Sequence, residues 1–156
     1  EGLTVDHEGH WLKLANLREH LLQKPSFGTR LESLTCQLSP SELRRSIWLI
    51  HQPPTELGMD ICGDGQQVGS PTIFDFIRRH QPLLGVSGHI HESPYQPGGR
   101  WIGLVNDTVW VQPGQMAERL HYVSAEITDQ KNLRNIQHSV FGPTTIQFER
   151  FPNAAS

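Results

Sequence analysis

Leu83-Leu84-Gly85-Val86-Ser87-Gly88-His89-Ile90-His91-Glu92-Ser93 is the stretch on which the fold turns. A short apolar run bounded by turn residues suits a buried parallel strand, and in open α/β sheets ligands gather outside the carboxyl ends of such strands. This run breaks at Gly88 and then offers His89 and His91. In extended backbone, alternate side chains share a face about 6.6 Å apart, at roughly 3.3 Å per residue. That is wide for one ion. It suits two ions about 3.5–4 Å apart, one imidazole reaching each, as in hydrolytic two-metal sites.

Upstream, Ile47-Trp48-Leu49-Ile50 is apolar on both faces, as a buried parallel strand should be, and His51 closes it before Pro53-Pro54 forbids continuation. Thr55–Val68 has three glycines and almost no apolar periodicity, so it reads as a long loop. Ser70-Pro71 then opens a helix with Ile73, Phe74, Phe76 and Ile77 facing inward through Arg79. Strand, loop, helix and strand from Ile47 to Ser87 make a βαβ unit. It predicts parallel neighbours with His51, His89 and His91 converging at their carboxyl ends.

Either side of this unit the signals are weaker. His10–Lys24 carries Trp11, Leu12, Leu14, Leu17, Leu21 and Leu22 at mostly helical spacing and stops at Pro25, which predicts an amphipathic helix. Ser26–Arg30 reads as a loop, and Leu31, Leu34 and Leu38 suggest a short helix. Ser39-Pro40-Ser41-Glu42 has the form of a capping box with Pro at the first helical position. Downstream, Trp101–Val105 and Thr108–Gln112 read as strands about Asn106-Asp107. A last hairpin is expected from Leu120–Thr128 and Leu133–Val140, with one more strand at Thr145–Phe148.

Length and composition set the frame. A chain of 156 residues is the size of one α/β domain, expected to run from residue 1 to 156. A formal charge of −3 with both signs interspersed offers no basic stripe for nucleic acid and no polybasic anchor for a membrane. Cys36 and Cys62 are too few for a disulfide framework, which fits a reducing, cytoplasmic compartment. No apolar stretch is long enough to span a bilayer.

For a lone histidine the ordinary reading is a polar residue that ends a strand, but three at adjacent strand ends point to metal ligation by His51, His89 and His91. His89, preceded by a glycine that permits close backbone approach, is the candidate catalytic residue. His7, His10 and His20 are assigned to the amphipathic first helix or its surroundings, His80 to the end of a helix where it complements the dipole, and His121 and His138 to outer strands. Asp60 and Asp64 read as solvated turn residues, and Cys62 as a plain loop cysteine with nothing nearby to lower its pKa.

Ile47–Pro54, Val68–Ser70 and Gly88-His89-Ile90-His91-Glu92-Ser93, followed by Val111-Gln112-Pro113-Gly114-Gln115, resemble the C-terminal part of calcineurin-like metallophosphoesterases. The nearest likeness is to small prokaryotic phosphoesterases with a Gly-His-Ile-His-Glu-Ser ending, and it covers residues 47–142. The resemblance implies an α-β-β-α sandwich, here incomplete at its N-terminus, and two divalent ions (manganese, iron or zinc). It implies that His51 and His89 ligate one ion and His91 the other, while a metal-bound hydroxide attacks the phosphorus of a phosphoester substrate. The family's earlier motifs, an Asp-x-His, a Gly-Asp with a bridging Asp, and a Gly-Asn-His, do not occur ahead of Ile47 in this sequence. The expectation is therefore a phosphoesterase portion that needs a missing N-terminal segment of its own domain, is inactive alone and exposes a sheet edge prone to self-association. Two alternatives stay open: a non-catalytic metal-binding or structural remnant of that fold, and an unrelated mononuclear zinc hydrolase using the same three histidines.

Overall fold

A computed structural model describes residues 3–5, 11–13, 22–116, 119–128 and 132–144. Two compact units divide the chain, Glu1–Cys36 and Gln37–Ser156. In the first, β1 (Leu3–Val5) pairs antiparallel with β2 (Trp11–Lys13), Leu3 opposite Lys13. The helix expected over His10–Lys24 is thus replaced at its start by a strand, because Trp11-Leu12-Lys13 alternates as well as it spirals and a partner strand decides between the two. Residues 14–21 lie outside the described residues. Helix α1 (Phe27–Thr35) starts inside the stretch expected to be a loop, because Ser26 caps it: its side chain accepts from the Thr29 N–H at 3.1 Å.

The second unit opens with α2 (Pro40–Leu43) and its capping box, in which Ser39 Oγ accepts from the Glu42 N–H and the Glu42 carboxylate accepts from the Ser39 N–H at 2.8 Å. A four-stranded sheet follows in the order β3-β4-β6-β5: β3 is Ile47–Leu49, β4 Leu84–Val86, β5 Ile102–Val105 and β6 Thr108–Val111. β3, β4 and β6 run parallel, and β5 is antiparallel to β6. Between β3 and β4 runs α3 (Pro71–His80), capped by Ser70 and buried through Ile73, Phe76 and Ile77. The βαβ unit is present, with Trp48 opposite Gly85 and Leu49 opposite Val86. A three-stranded antiparallel sheet ends the described chain: β7 (Val123–Ile127), β8 (Leu133–His138) and β9 (Gly142–Pro143). The strand expected at Thr145–Phe148 lies outside the described residues.

The register sorts side chains onto two faces. Trp48, Gly85 and Trp110 stand in one row, and α3 packs there, the Phe76 ring 4.6 Å from that of Trp48. Gly85 is demanded by this row: a Cβ there would fall inside the fully buried Trp110 indole. The opposite face, Leu84, Val109 and Val111, closes a core with Ile102 and with Leu133 and Ile136 of β8. Burying one such aliphatic side chain is worth about 1.5–3 kcal/mol, so this shared core is what holds the two sheets together.

β3 corrects an expectation. It is the sheet's edge, and Ile47 and Leu49 are 44% and 81% exposed rather than buried. Both lie on the face that the second sheet covers further in, and among the described residues that face of β3 stays exposed.

Candidate functional site

Three structural devices build the ends of β3 and β4. The Ile50 N–H donates to the Val86 carbonyl, and the Gly88 N–H donates to the His51 carbonyl at 3.0 Å, so the two strand ends stay in register into the loops. Ser87, buried at the end of β4, accepts from the Trp110 indole N–H at 2.7 Å and donates to the Gln52 carbonyl. His89 then sits at the centre of a γ-turn: its φ is 67°, and the Ile90 N–H donates to the Gly88 carbonyl at 2.8 Å. This is the rare hand of the turn, costing on the order of 1–3 kcal/mol for a residue with a Cβ, and such strain concentrates at functional positions.

Beyond His89 the loop is held from all sides. Buried Gln112 donates to the Ile90 carbonyl at 2.7 Å, and the Gln115 N–H donates to the His91 carbonyl at 2.8 Å. Gly114, at φ 65°, lies so close to that carbonyl that a Cβ would stand 2.6 Å from it. Ser93, fully buried, accepts from the Ile61 N–H and donates to the Gly58 carbonyl, and the Glu92 carboxylate accepts from the Gly63 N–H at 2.9 Å. That last bond lies second to the one at its own main-chain N–H in holding the Glu92 pKa below its usual value. The Pro113-Gly114-Gln115 turn and the Thr55–Val68 loop are therefore the brackets of the His-x-His loop.

Within this frame His51 Nε2 and His89 Nδ1 are 3.1 Å apart, with ring centroids at 4.9 Å and planes inclined by 69°. Both rings are exposed, and so is His91. Among the described residues, no hydrogen bond involves the second nitrogen of His51 or of His89. His51 and His89 are thus brought together, while His91 shares their loop without joining them: no group of three His, Cys, Asp or Glu side chains able to hold an ion forms among the described residues. Two imidazoles in this arrangement can share a proton or chelate. Nitrogens each about 2.0–2.1 Å from one ion, at about 90–110° to each other, lie about 2.9–3.4 Å apart. The observed separation falls in that range.

Other residues depart from expectation. Asp60 is not solvated: it is 1% exposed, its Oδ2 accepts from the Gly69 N–H at 3.0 Å, and its Oδ1 is buried with no hydrogen-bond partner. Its partner is supplied nine residues later, where the chain folds back beside Pro54. Met59, fully buried, and Ile61 anchor the same loop inward. Cys62 agrees with its assignment, since burial, then Glu92 and the nearby aspartates, push its thiol pKa up.

His138 ends β8 while His121 lies just ahead of β7, and both are buried. They are 8% and 2% exposed, their rings 6.0 Å apart. Tyr95 Oη lies 2.6 Å from His121 Nδ1. His138 Nε2 donates to the Pro113 carbonyl at 2.8 Å, while its Nδ1 accepts from the N–H groups of Val140 and Phe141. A carbonyl on one side and two N–H donors on the other leave only the neutral tautomer protonated at Nε2.

No family model, no curated protein and no solved structure matches the chain. Among the described residues, no helix is long and apolar enough to cross a membrane.

Proposed function

We propose that this chain carries part of the divalent-metal site of a phosphoesterase, with His51 and His89 holding one ion and His91 offered to a second. The observation that carries the reading is the 3.1 Å approach of His51 Nε2 to His89 Nδ1 at the carboxyl ends of two adjacent parallel strands. Exposure of both rings, the strained turn that aims His89, and the bracing of its loop by Gln112, Gln115 and Ser93 support it. A histidine serving only to end a strand needs none of these.

The layering supports the finer reading of the fold, one side of an α-β-β-α sandwich: α3 covers one face of the four-stranded sheet and β8 the other. Ile47 and Leu49 lie bare at the open edge, where further strands of such a sandwich would pair. The remaining ligands of a two-ion site come from outside these three histidines. When bound, the ions would supply Lewis acidity and an activated water for attack on a phosphoester. This chain's own part is to present two neutral imidazoles in fixed geometry and to leave their outer faces open to substrate. Free Cys36 and Cys62 support a reducing, cytoplasmic setting.

Calorimetric titration with zinc or manganese, run beside hydrolysis of bis(p-nitrophenyl) phosphate, tests the proposal. One site of modest affinity, lost in His51→Ala and in His89→Ala, is the expected result, with turnover absent or marginal. Binding unchanged in both variants would overturn it. Two tight sites with turnover would show a complete centre within these 156 residues.

A further inference from the structure

A cleft of about 380 Å³ opens between the segment around Trp101 and the turn around Phe141, with Pro94 and Pro143 on its walls. It shares no lining residue with His51, His89 or His91. Its volume lies within the range of small-molecule sites, about 300–1,000 Å³. Its chemistry is uneven: Arg100 is the one charged residue that lines it.

Trp101 and Phe141 both rest on His138, at ring separations of 5.3 and 4.8 Å, so their centroids lie within about 10 Å of each other. Phe141 remains 43% exposed. Phe141 also packs on the Tyr95 ring, at 5.1 Å, so a flat ligand has its remaining exposed surface and that of Trp101 to lie against, at about 3.5–4 Å.

The walls are fixed before any ligand arrives. The Arg100 N–H donates to the Gly58 carbonyl and the Gln112 N–H to the Trp101 carbonyl, both at 2.8 Å. Gly99 has no room for a Cβ against the Ser93 carbonyl. On the other wall, His138 Nδ1 holds the Val140 and Phe141 N–H groups, and the Thr144 N–H donates to the Ile136 carbonyl at 3.0 Å. A site whose backbone is already ordered loses little entropy on binding.

Arg100 is exposed and, among the described residues, makes no ion pair. A guanidinium presents a planar fork of donors that matches a phosphate or carboxylate, and it is weakly hydrated enough to sit beside aromatic rings. A cleft whose lining holds one guanidinium, without an ion pair among the described residues, and two aromatic residues suits a ligand that is flat at one end and anionic at the other. We propose that this cleft binds a planar aromatic anion, with Trp101 and Phe141 taking the ring and Arg100 the charge.

Adenosine monophosphate carries both features, adenosine only the ring and inorganic phosphate only the charge, so the three separate the contributions. Each is titrated into the whole chain, in chelator, and followed by backbone amide shifts. The expected result is that the monophosphate moves the amides of residues 99–102, 141, 142 and 144. Adenosine and phosphate should bind at least about tenfold more weakly. Arg100→Ala should reduce the monophosphate to the affinity of adenosine, and Phe141→Ala should weaken both. Arg134→Ala, on the exposed side of β8, should change nothing. No shifts at millimolar monophosphate, shifts confined to residues 51 and 88–91, or affinity unchanged in Arg100→Ala would overturn the proposal. His51→Ala should leave this binding intact, so the cleft and the metal reading fail separately.

Discussion

Two pairs of histidines in one chain stand in opposite surroundings. His51 and His89 face solvent at the ends of parallel strands, each with one nitrogen engaged and, among the described residues, the other without a protein partner. His121, just ahead of β7, and His138, at the end of the central strand β8, lie buried, and His138 has both nitrogens satisfied by backbone. The backbone repeats the contrast: His89 is bent to φ 67°, whereas His138 is an ordinary strand residue that pairs with Val123 and Gly142. Strain with spare lone pairs fits the ligand role proposed for His51 and His89. Relaxed geometry with every lone pair used is that of a group kept for the fold.

The largest effect should come from the buried pair. His138→Ala opens a cavity between Trp101 and Phe141 and leaves the Pro113 carbonyl and two N–H groups unsatisfied, so it should cost about 3–4 kcal/mol in urea unfolding. His51→Ala and His89→Ala should each change stability by less than about 1 kcal/mol while lowering zinc affinity at least about tenfold. If all three substitutions cost the same stability, the division between the pairs is wrong.

Acid sharpens the same comparison. Burial, followed by repulsion from His121 and opposed by the bond to Pro113, holds the His138 pKa below its ordinary value of 6.5. Because the folded state resists the proton, the stability this ring contributes is complete above pH 6.5 and drains away as pH falls below it. Tyr95, Trp101 and Phe141 also pack against the two rings, and none of them carries a charge in that window. Unfolding midpoints taken from pH 7.5 down to 5 should fall in the parent chain and fall less in His138→Gln. His89→Gly, which relieves the positive φ, should raise stability by a few tenths of a kcal/mol, up to about 1 kcal/mol, while removing the proposed metal ligand. A loss of stability there would mean that the His51–His89 contact outweighs the strain.

Much of the frame was legible because it rests on local pattern. Two apolar runs that each end in histidine are enough for a parallel pair, and Ser39 and Ser70 mark their helices by capping chemistry that acts within four residues. What escaped depends on partners distant in sequence. An apolar run reads the same at the edge of a sheet as at its centre, so the exposure of Leu49 could not be read from Ile47–Ile50. Asp60 has turn-like neighbours and is buried only because Gly69 returns to it. His121 and His138 owe their burial to Tyr95 and Pro113, about 25 positions earlier. In the site, the meeting of His51 with His89 follows from strand order, but the γ-turn that aims His89 has no sequence signal beyond the glycine before it.

The packing of Trp110 over Gly85 has a spectroscopic consequence. An indole with no solvent contact, its N–H fixed to Ser87, emits at short wavelength and is sheltered from quenchers such as iodide as long as β4 and β6 remain zipped together. Trp101 lies half-exposed at the mouth of the cleft and is open to the same quencher. With Trp11 and Trp48 replaced by Phe, the molecule carries two optical channels, one reporting the integrity of the central strands and the other the occupancy of its surface, with no label attached.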